Sequence, residues 1–178
     1  MKTQFMTFYI THDIGAMVPT GELAEIISLS PKTIVPIPDM PSSVCGCFPW
    51  QGEVVWLIDL VSIMGYEALL KAGFYQSKYN VLQVKIAGEF KLAFLVKNIG
   101  RLIGVEQAEI QEGGSTKNFN PILAKYIKAS WKSQKSETLY ILDFEAIASE
   151  QINTRQEAEG KRQEAKGKRQ EARGKRQE

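Results

Sequence analysis

The chain has 178 residues, of which 44% are hydrophobic and 24% are charged, as in an ordinary soluble globular protein. No apolar run reaches the roughly 18 to 20 residues that cross a bilayer, and residues 1–7 lack the apolar stretch of a signal peptide. Residues 155–178 hold nine basic and five acidic residues, which leaves 13 basic and 15 acidic in residues 1–154. These features argue against membrane insertion and predict a cytoplasmic protein with a nearly neutral folded part.

Five short segments have the apolar, β-branched and aromatic composition of β-strands: residues 7–10, 53–58, 81–86, 91–96 and 139–142. A turn at residues 87–89 separates the third segment from the fourth, so these two are predicted to form a hairpin. Proline and glycine residues interrupt the chain at short intervals between the segments. Many short strands separated by turns predict a mostly β protein built from small barrels or a sandwich.

Helices are predicted to be few and short, over residues 22–27, 60–64, 120–127 and 143–148. Asp59, Asn120 and Asp143 stand where the last three begin, and aspartate and asparagine accept hydrogen bonds from the free N–H groups of a first turn. Pro121 supports the third prediction, since proline is favoured at the first helical position.

The C-terminal residues 155–178 repeat the pattern Arg-Gln-Glu-Ala-x-Gly-Lys with a period of seven. Each repeat offers only alanine as an apolar group, whereas a coiled coil needs two larger ones. Each repeat also holds a glycine, which costs a helix interior about 1 kcal/mol relative to alanine. We therefore predict a folded domain over residues 1–154 and a disordered charged tail over 155–178.

Residues for catalysis or metal binding are missing from the sequence pattern. His12 is the sole histidine, and Cys45 and Cys47 form a single C-x-C pair, which we expect to be reduced and unbridged. The sequence has neither a P-loop nor a G-x-S-x-G nucleophile turn. We predict no enzyme activity, no metal, no cofactor and no small-molecule substrate.

A protein that acts by contact needs exposed side chains, and two tryptophans are candidates. Trp56 lies inside an apolar run, which favours a place in the core. Trp50 lies next to the turn at Gln51-Gly52, where a role in the core and a role in binding are equally open.

An ordered set of motifs resembles the CheW-like family: a proline-rich stretch, a glycine, a Trp-Gln-Gly turn, an apolar strand ending in Asp-Leu, and a Met-Gly pair, at residues 34–41, 46, 50–52, 53–60 and 64–65. Weaker similarities on both sides extend the resemblance to about residues 4–150. The motif variants look most like those of members linked to type IV pilus or light-directed motility. The resemblance implies two five-stranded SH3-like β-barrel subdomains with a few short helices.

The same resemblance implies an adaptor in chemotaxis or surface-motility signalling. One of its surfaces would bind the regulatory domain of a CheA-type histidine kinase, and another would bind the tip of a methyl-accepting chemoreceptor. Receptor state would then bias kinase state through a rigid bridge.

Four residues are predicted to bind partners. Glu25 matches an acidic residue on the kinase side of the family, and Gly46 matches a glycine at a functional turn. Trp50 and Gln51 lie at the Trp-Gln-Gly turn, but Gln51 stands where the family usually has arginine, so a charged donor is lost. Further departures from the family pattern occur at Pro49, Lys97 and Ala129. They point to a divergent set of partners.

Two other readings stay open. A small β-barrel could bind nucleic acid through the basic tail, although the slightly acidic folded part makes nucleic acid an unlikely partner. A relic paralogue could compete for the partners without coupling them.

Overall fold

The computed structural model describes residues 1–70, 77–87, 90–113, 120–151 and 166. This part of the chain contains eleven strands: β1 Lys2–Tyr9, β2 Gly15–Pro19, β3 Leu23–Leu29, β4 Val44–Trp50, β5 Glu53–Asp59, β6 Tyr79–Ile86, β7 Phe90–Val96, β8 Asn98–Glu106, β9 Ile110–Glu112, β10 Ile127–Lys132 and β11 Thr138–Leu142. They include all five segments predicted as strands except for Ile10, which follows the end of β1, and β6 pairs antiparallel with β7 as the predicted hairpin.

The strands form two sheets. The consecutive strands β3 to β7 form one sheet, and the strands before and after them form the other. A six-stranded sheet with the order β8-β1-β2-β11-β10-β9 combines both ends of the folded region. A five-stranded sheet with the order β3-β6-β7-β5-β4 holds the strands in between. The predicted mostly β architecture is confirmed. In detail, the three-residue β9 gives the first sheet a sixth strand, and within the described residues the terminal strands of each sheet do not pair, so both sheets are open.

The prediction of a helix over residues 22–27 is wrong, because this segment belongs to β3. Its backbone pairs with β6 from Leu23 opposite Val84 to Leu29 opposite Tyr79. Ile27 is buried while Ile26 and Ser28 are exposed, which is the alternation of a strand. Non-local pairing and burial of one face outweigh the weak helical pattern of six residues.

The three other helices are present and short: α1 Leu60–Ile63, α2 Pro121–Ala124 and α3 over residues 144–151. All three predicted caps are confirmed. Asp59 accepts hydrogen bonds from the N–H groups of Val61 and Ser62, and Asn120 and Asp143 make equivalent bonds in α2 and α3. Helix α2 is shorter than predicted because the chain enters β10 at Ile127.

The largest core cluster lies between the two sheets and is shared by both. Phe8 comes from the six-stranded sheet and Phe94 from the five-stranded sheet, and both rings contact Phe144 of α3, at centroid distances of 6.4 and 4.7 Å. Helix α3 is held at its far end by Glu150, which lies 2.6 Å from Lys125 Nζ and accepts a hydrogen bond from the Tyr126 hydroxyl. The two sheets therefore pack as one unit around α3.

Among the described residues, no helix is long and apolar enough to cross a bilayer. Cys45 and Cys47 are thiols and form no disulfide bond. The five-stranded sheet also has a small core of its own, which includes Ile27, Phe48, Val55 and Leu57. A break in register between Val44 and Gly46 lets Cys45 pack against this small core, while Cys47 pairs with Trp56. The predicted disordered tail lies outside the described residues except for position 166, so the boundary at residue 154 stays a prediction.

Candidate functional site

Three of the four predicted partner-binding residues meet at one carboxylate. Glu25 lies on β3, Trp50 ends β4, and Gln51 follows in the turn. The Trp50 indole N–H donates to Glu25 Oε2 at 2.9 Å, and the Gln51 side-chain amide donates to the same oxygen at 3.2 Å. Since β3 and β4 are the two terminal strands of the five-stranded sheet, these side chains bridge an opening that the backbone leaves unpaired.

The turn between β4 and β5 fixes the position of Gln51. Trp50 pairs with Glu53, so only Gln51 and Gly52 form the loop. Both have positive φ, 49° and 81°, which is what a type I′ turn requires. The left-handed conformation is unfavourable for glutamine and easy for glycine. The tight turn holds the Gln51 side chain near Glu25.

Trp50 packs against the core and also bonds to Glu25, and its role in partner binding stays a prediction. Its side chain is partly buried and packs against the small core of the five-stranded sheet. Its ring meets Phe48 edge-on, with centroids 6.5 Å apart. Trp56 packs against the shared core but stays partly exposed.

Gly46 lies away from the Glu25 carboxylate, and its role is to allow close packing of the backbone. Its φ is +135°, and a Cβ atom there would lie 2.2 Å from the carbonyl oxygen of Val35. The neighbouring Cys47 exchanges two backbone hydrogen bonds with Val35, at 2.7 and 2.9 Å. Glycine is needed here because the proline-rich loop approaches β4 too closely for any side chain.

The outer face of the β4–β5 hairpin exposes apolar groups that sequence reasoning missed. Val54 is 69% exposed and pairs with the exposed Pro49, and Val35 is 56% exposed beside Cys47. Val54 lies in the segment 53–58, which the sequence predicts as a strand. The alternation along β5 was the available signal, because only Val55 and Leu57 face the small core.

Lys97 and Ala129, which also depart from the family pattern, contribute to the fold. The backbone N–H of Lys97 donates to the Tyr9 carbonyl, and its carbonyl accepts from the Asn80 side chain. Ala129 is buried in β10. Neither residue is part of the Glu25 site.

Asp59 is the most buried carboxylate that the structure describes, and it has a structural explanation. Besides its two bonds in α1, it accepts the backbone N–H of Leu69 at 2.7 Å. Burial raises the pKa of Asp59, against the opposing effect of these backbone hydrogen bonds. His12 is exposed, and no group of three or more potential metal ligands occurs within the described ranges.

Comparisons with known proteins agree with this architecture. The family model for the CheW-like domain matches residues 4–151. The crystal structure of the scaffolding protein TtCheW from Thermoanaerobacter tengcongensis superposes with a TM-score of 0.66 at 17% sequence identity, covering 80% of this chain and 89% of that one. Comparison with curated protein sequences gives no significant match. The family model covers most of the chain, and the chain therefore belongs to the CheW-like domain family.

Proposed function

We propose that this chain is a cytoplasmic scaffold that couples chemoreceptors to a CheA-type histidine kinase in chemotaxis or surface-motility signalling. Membership of the CheW-like family supports this role, and the similar structure from Thermoanaerobacter tengcongensis is named as a scaffolding protein. The chain would act by binding both partners at once and would catalyse no reaction.

The observation that carries the proposal is the convergence of Trp50 and Gln51 on Glu25 at the end of the five-stranded sheet. A partly buried tryptophan beside polar groups is the kind of anchor that protein interfaces use. We assign partner binding to Glu25, Trp50 and Gln51 directly, and to Gly46 through its support of the loop beside the hairpin.

An adaptor needs a second surface, and the six-stranded sheet supplies a candidate. Leu102 on β8 is 57% exposed and pairs with Met6, which packs against the shared core. This apolar site lies on the other sheet from Glu25, so two partners could bind without competing. The common core around Phe144 would transmit a change at one surface to the other as a rigid body.

Co-purification tests the proposal. The full chain is mixed with the regulatory domain of the organism's CheA-type kinase and with the signalling fragment of a chemoreceptor, together and separately. We expect each partner to bind alone and a ternary complex to form from all three. Failure of the chain to retain either partner would refute the scaffold function. A parallel salt titration with an oligonucleotide tests the nucleic-acid reading, which predicts tight binding that falls steeply with salt.

A further inference from the structure

The Glu25 carboxylate carries a charge that nothing in the described part of the chain neutralises. Both of its hydrogen-bond donors, the Trp50 indole and the Gln51 amide, are neutral, and both use Oε2. Within the described residues, Oε1 accepts no hydrogen bond and no lysine or arginine nitrogen lies within 4 Å of the carboxylate. Glu53, which follows the same turn as Gln51, forms an ion pair with Lys91.

The position of Glu25 makes this lack of a cation significant. The side chain is partly buried, and its neighbour on the same face of β3, Ile27, belongs to the small core. A carboxylate that loses part of its hydration favours a cationic partner. Two neutral donors orient the group but leave its negative charge in place.

The geometry of the site suits an arginine. Because Glu25 Oε2 already accepts two hydrogen bonds, a donor from a partner would bond to Glu25 Oε1. The exposed Gln51 side chain also has an amide oxygen that can accept a hydrogen bond. A guanidinium has several N–H groups in one plane and can donate to Glu25 Oε1 and to the Gln51 amide oxygen together. An ammonium acts as a point charge. The partly exposed Trp50 ring adjoins the same carboxylate and offers a flat apolar face.

We propose that Glu25 binds an arginine supplied by the partner protein, with Gln51 and Trp50 completing the pocket. The inference rests on the proposed scaffold function and names the chemistry of its partner.

Binding measurements with charge variants test this pocket, using the kinase regulatory domain and the receptor signalling fragment as separate probes. Glu25→Gln keeps a carbonyl oxygen for Trp50, removes the charge and replaces the second acceptor oxygen with an amide donor. We expect it to weaken binding to one probe by about tenfold to a hundredfold. Gln51→Arg places a cation of the chain itself at the pocket and should weaken the same interaction. Glu53→Gln is the matched control on the same hairpin and should change the Kd by less than about twofold, because its ion pair is exposed.

A double-mutant cycle then identifies the partner's side chain. One arginine of the probe, changed to alanine, should weaken binding to the wild-type chain and cause no further loss with Glu25→Gln. Coupling to a lysine instead would overturn the assignment of arginine. Wild-type affinity of Glu25→Gln for both probes would overturn the pocket while leaving the scaffold function intact. A wild-type chain that binds neither probe would overturn both.

Discussion

The Trp50 indole nitrogen lies 2.9 Å from Glu25 Oε2, and this hydrogen bond joins the two terminal strands of the five-stranded sheet. The backbones of β3 and β4 do not pair, so side chains hold this end of the sheet together. The residues that we assign to partner binding are thus also residues that shape the sheet.

Trp50→Phe separates the two roles of this tryptophan. Phenylalanine keeps an aromatic ring against Phe48 but loses the N–H donor to Glu25. We expect about 1 kcal/mol of lost stability, the usual net value of one hydrogen bond, together with weaker partner binding. Urea unfolding and a pull-down with each partner measure the two effects. A variant with unchanged stability and unchanged retention of both partners would contradict the role of this bond.

Asp59→Ala should destabilise the fold strongly, because it leaves the N–H groups of Val61, Ser62 and Leu69 without their acceptor. Lost capping and buried unsatisfied donors together cost about 2 to 4 kcal/mol. The comparison is Asp143→Ala, which removes a more exposed cap and should cost about 1 kcal/mol. Equal losses of unfolding free energy in the two variants would show that the burial of Asp59 adds nothing to the cost of removing its cap.

The raised pKa of Asp59 predicts a specific pH dependence of stability. Because burial favours the protonated form, the folded state binds this proton more tightly than the unfolded state, whose pKa is near the ordinary value of 3.8. Stability therefore falls as pH rises through the folded-state pKa, and it is regained on acidification until the pH reaches about the unfolded value. Asp59→Asn lacks this titration, so the wild type should gain stability relative to the variant as pH is lowered. A pH-independent difference between them would contradict the shift.

Gly46→Ala should detach the proline-rich loop from β4. The new methyl group would collide with the Val35 carbonyl, and φ of +135° is strained for alanine. A backbone strain of this kind costs roughly 1 to 3 kcal/mol. Hydrogen exchange should show faster exchange at the Val35 and Cys47 amides, which pair with each other's carbonyl oxygens.

Gly52→Ala is the control for this change, because it also has positive φ but no atom within 4 Å of the added carbon. It should leave exchange at Val35 and Cys47 unchanged. Equal acceleration of exchange in both variants would mean that the collision with Val35 is not the cause.

Local features of the fold were predictable from the sequence, and features that depend on distant pairing were not. The caps at Asp59, Asn120 and Asp143 involve donors within three residues, so their signal is contained in a short segment. The strand character of β3 depends on β6, more than 50 residues away, and a six-residue window cannot show it.

For the candidate site too, the residues were predictable from the sequence but the contacts that depend on distant pairing were not. The resemblance to the family indicates Glu25, Gly46 and Gln51, and the position beside the turn indicates Trp50, but neither gives the contacts between them. The meeting of Glu25 with Trp50 requires the whole strand order of the five-stranded sheet, because these residues lie on strands that are not neighbours. The exposure of Val54 and the collision at Gly46 likewise depend on where β4 and the proline-rich loop are placed.

The rate of kinase autophosphorylation tests the central claim most directly. The CheA-type kinase is assayed with the receptor signalling fragment in both of its signalling states, with and without the full chain. We predict that the receptor state changes the kinase rate only when the chain is present. A kinase rate that is the same with and without the chain, in both receptor states, would contradict the account.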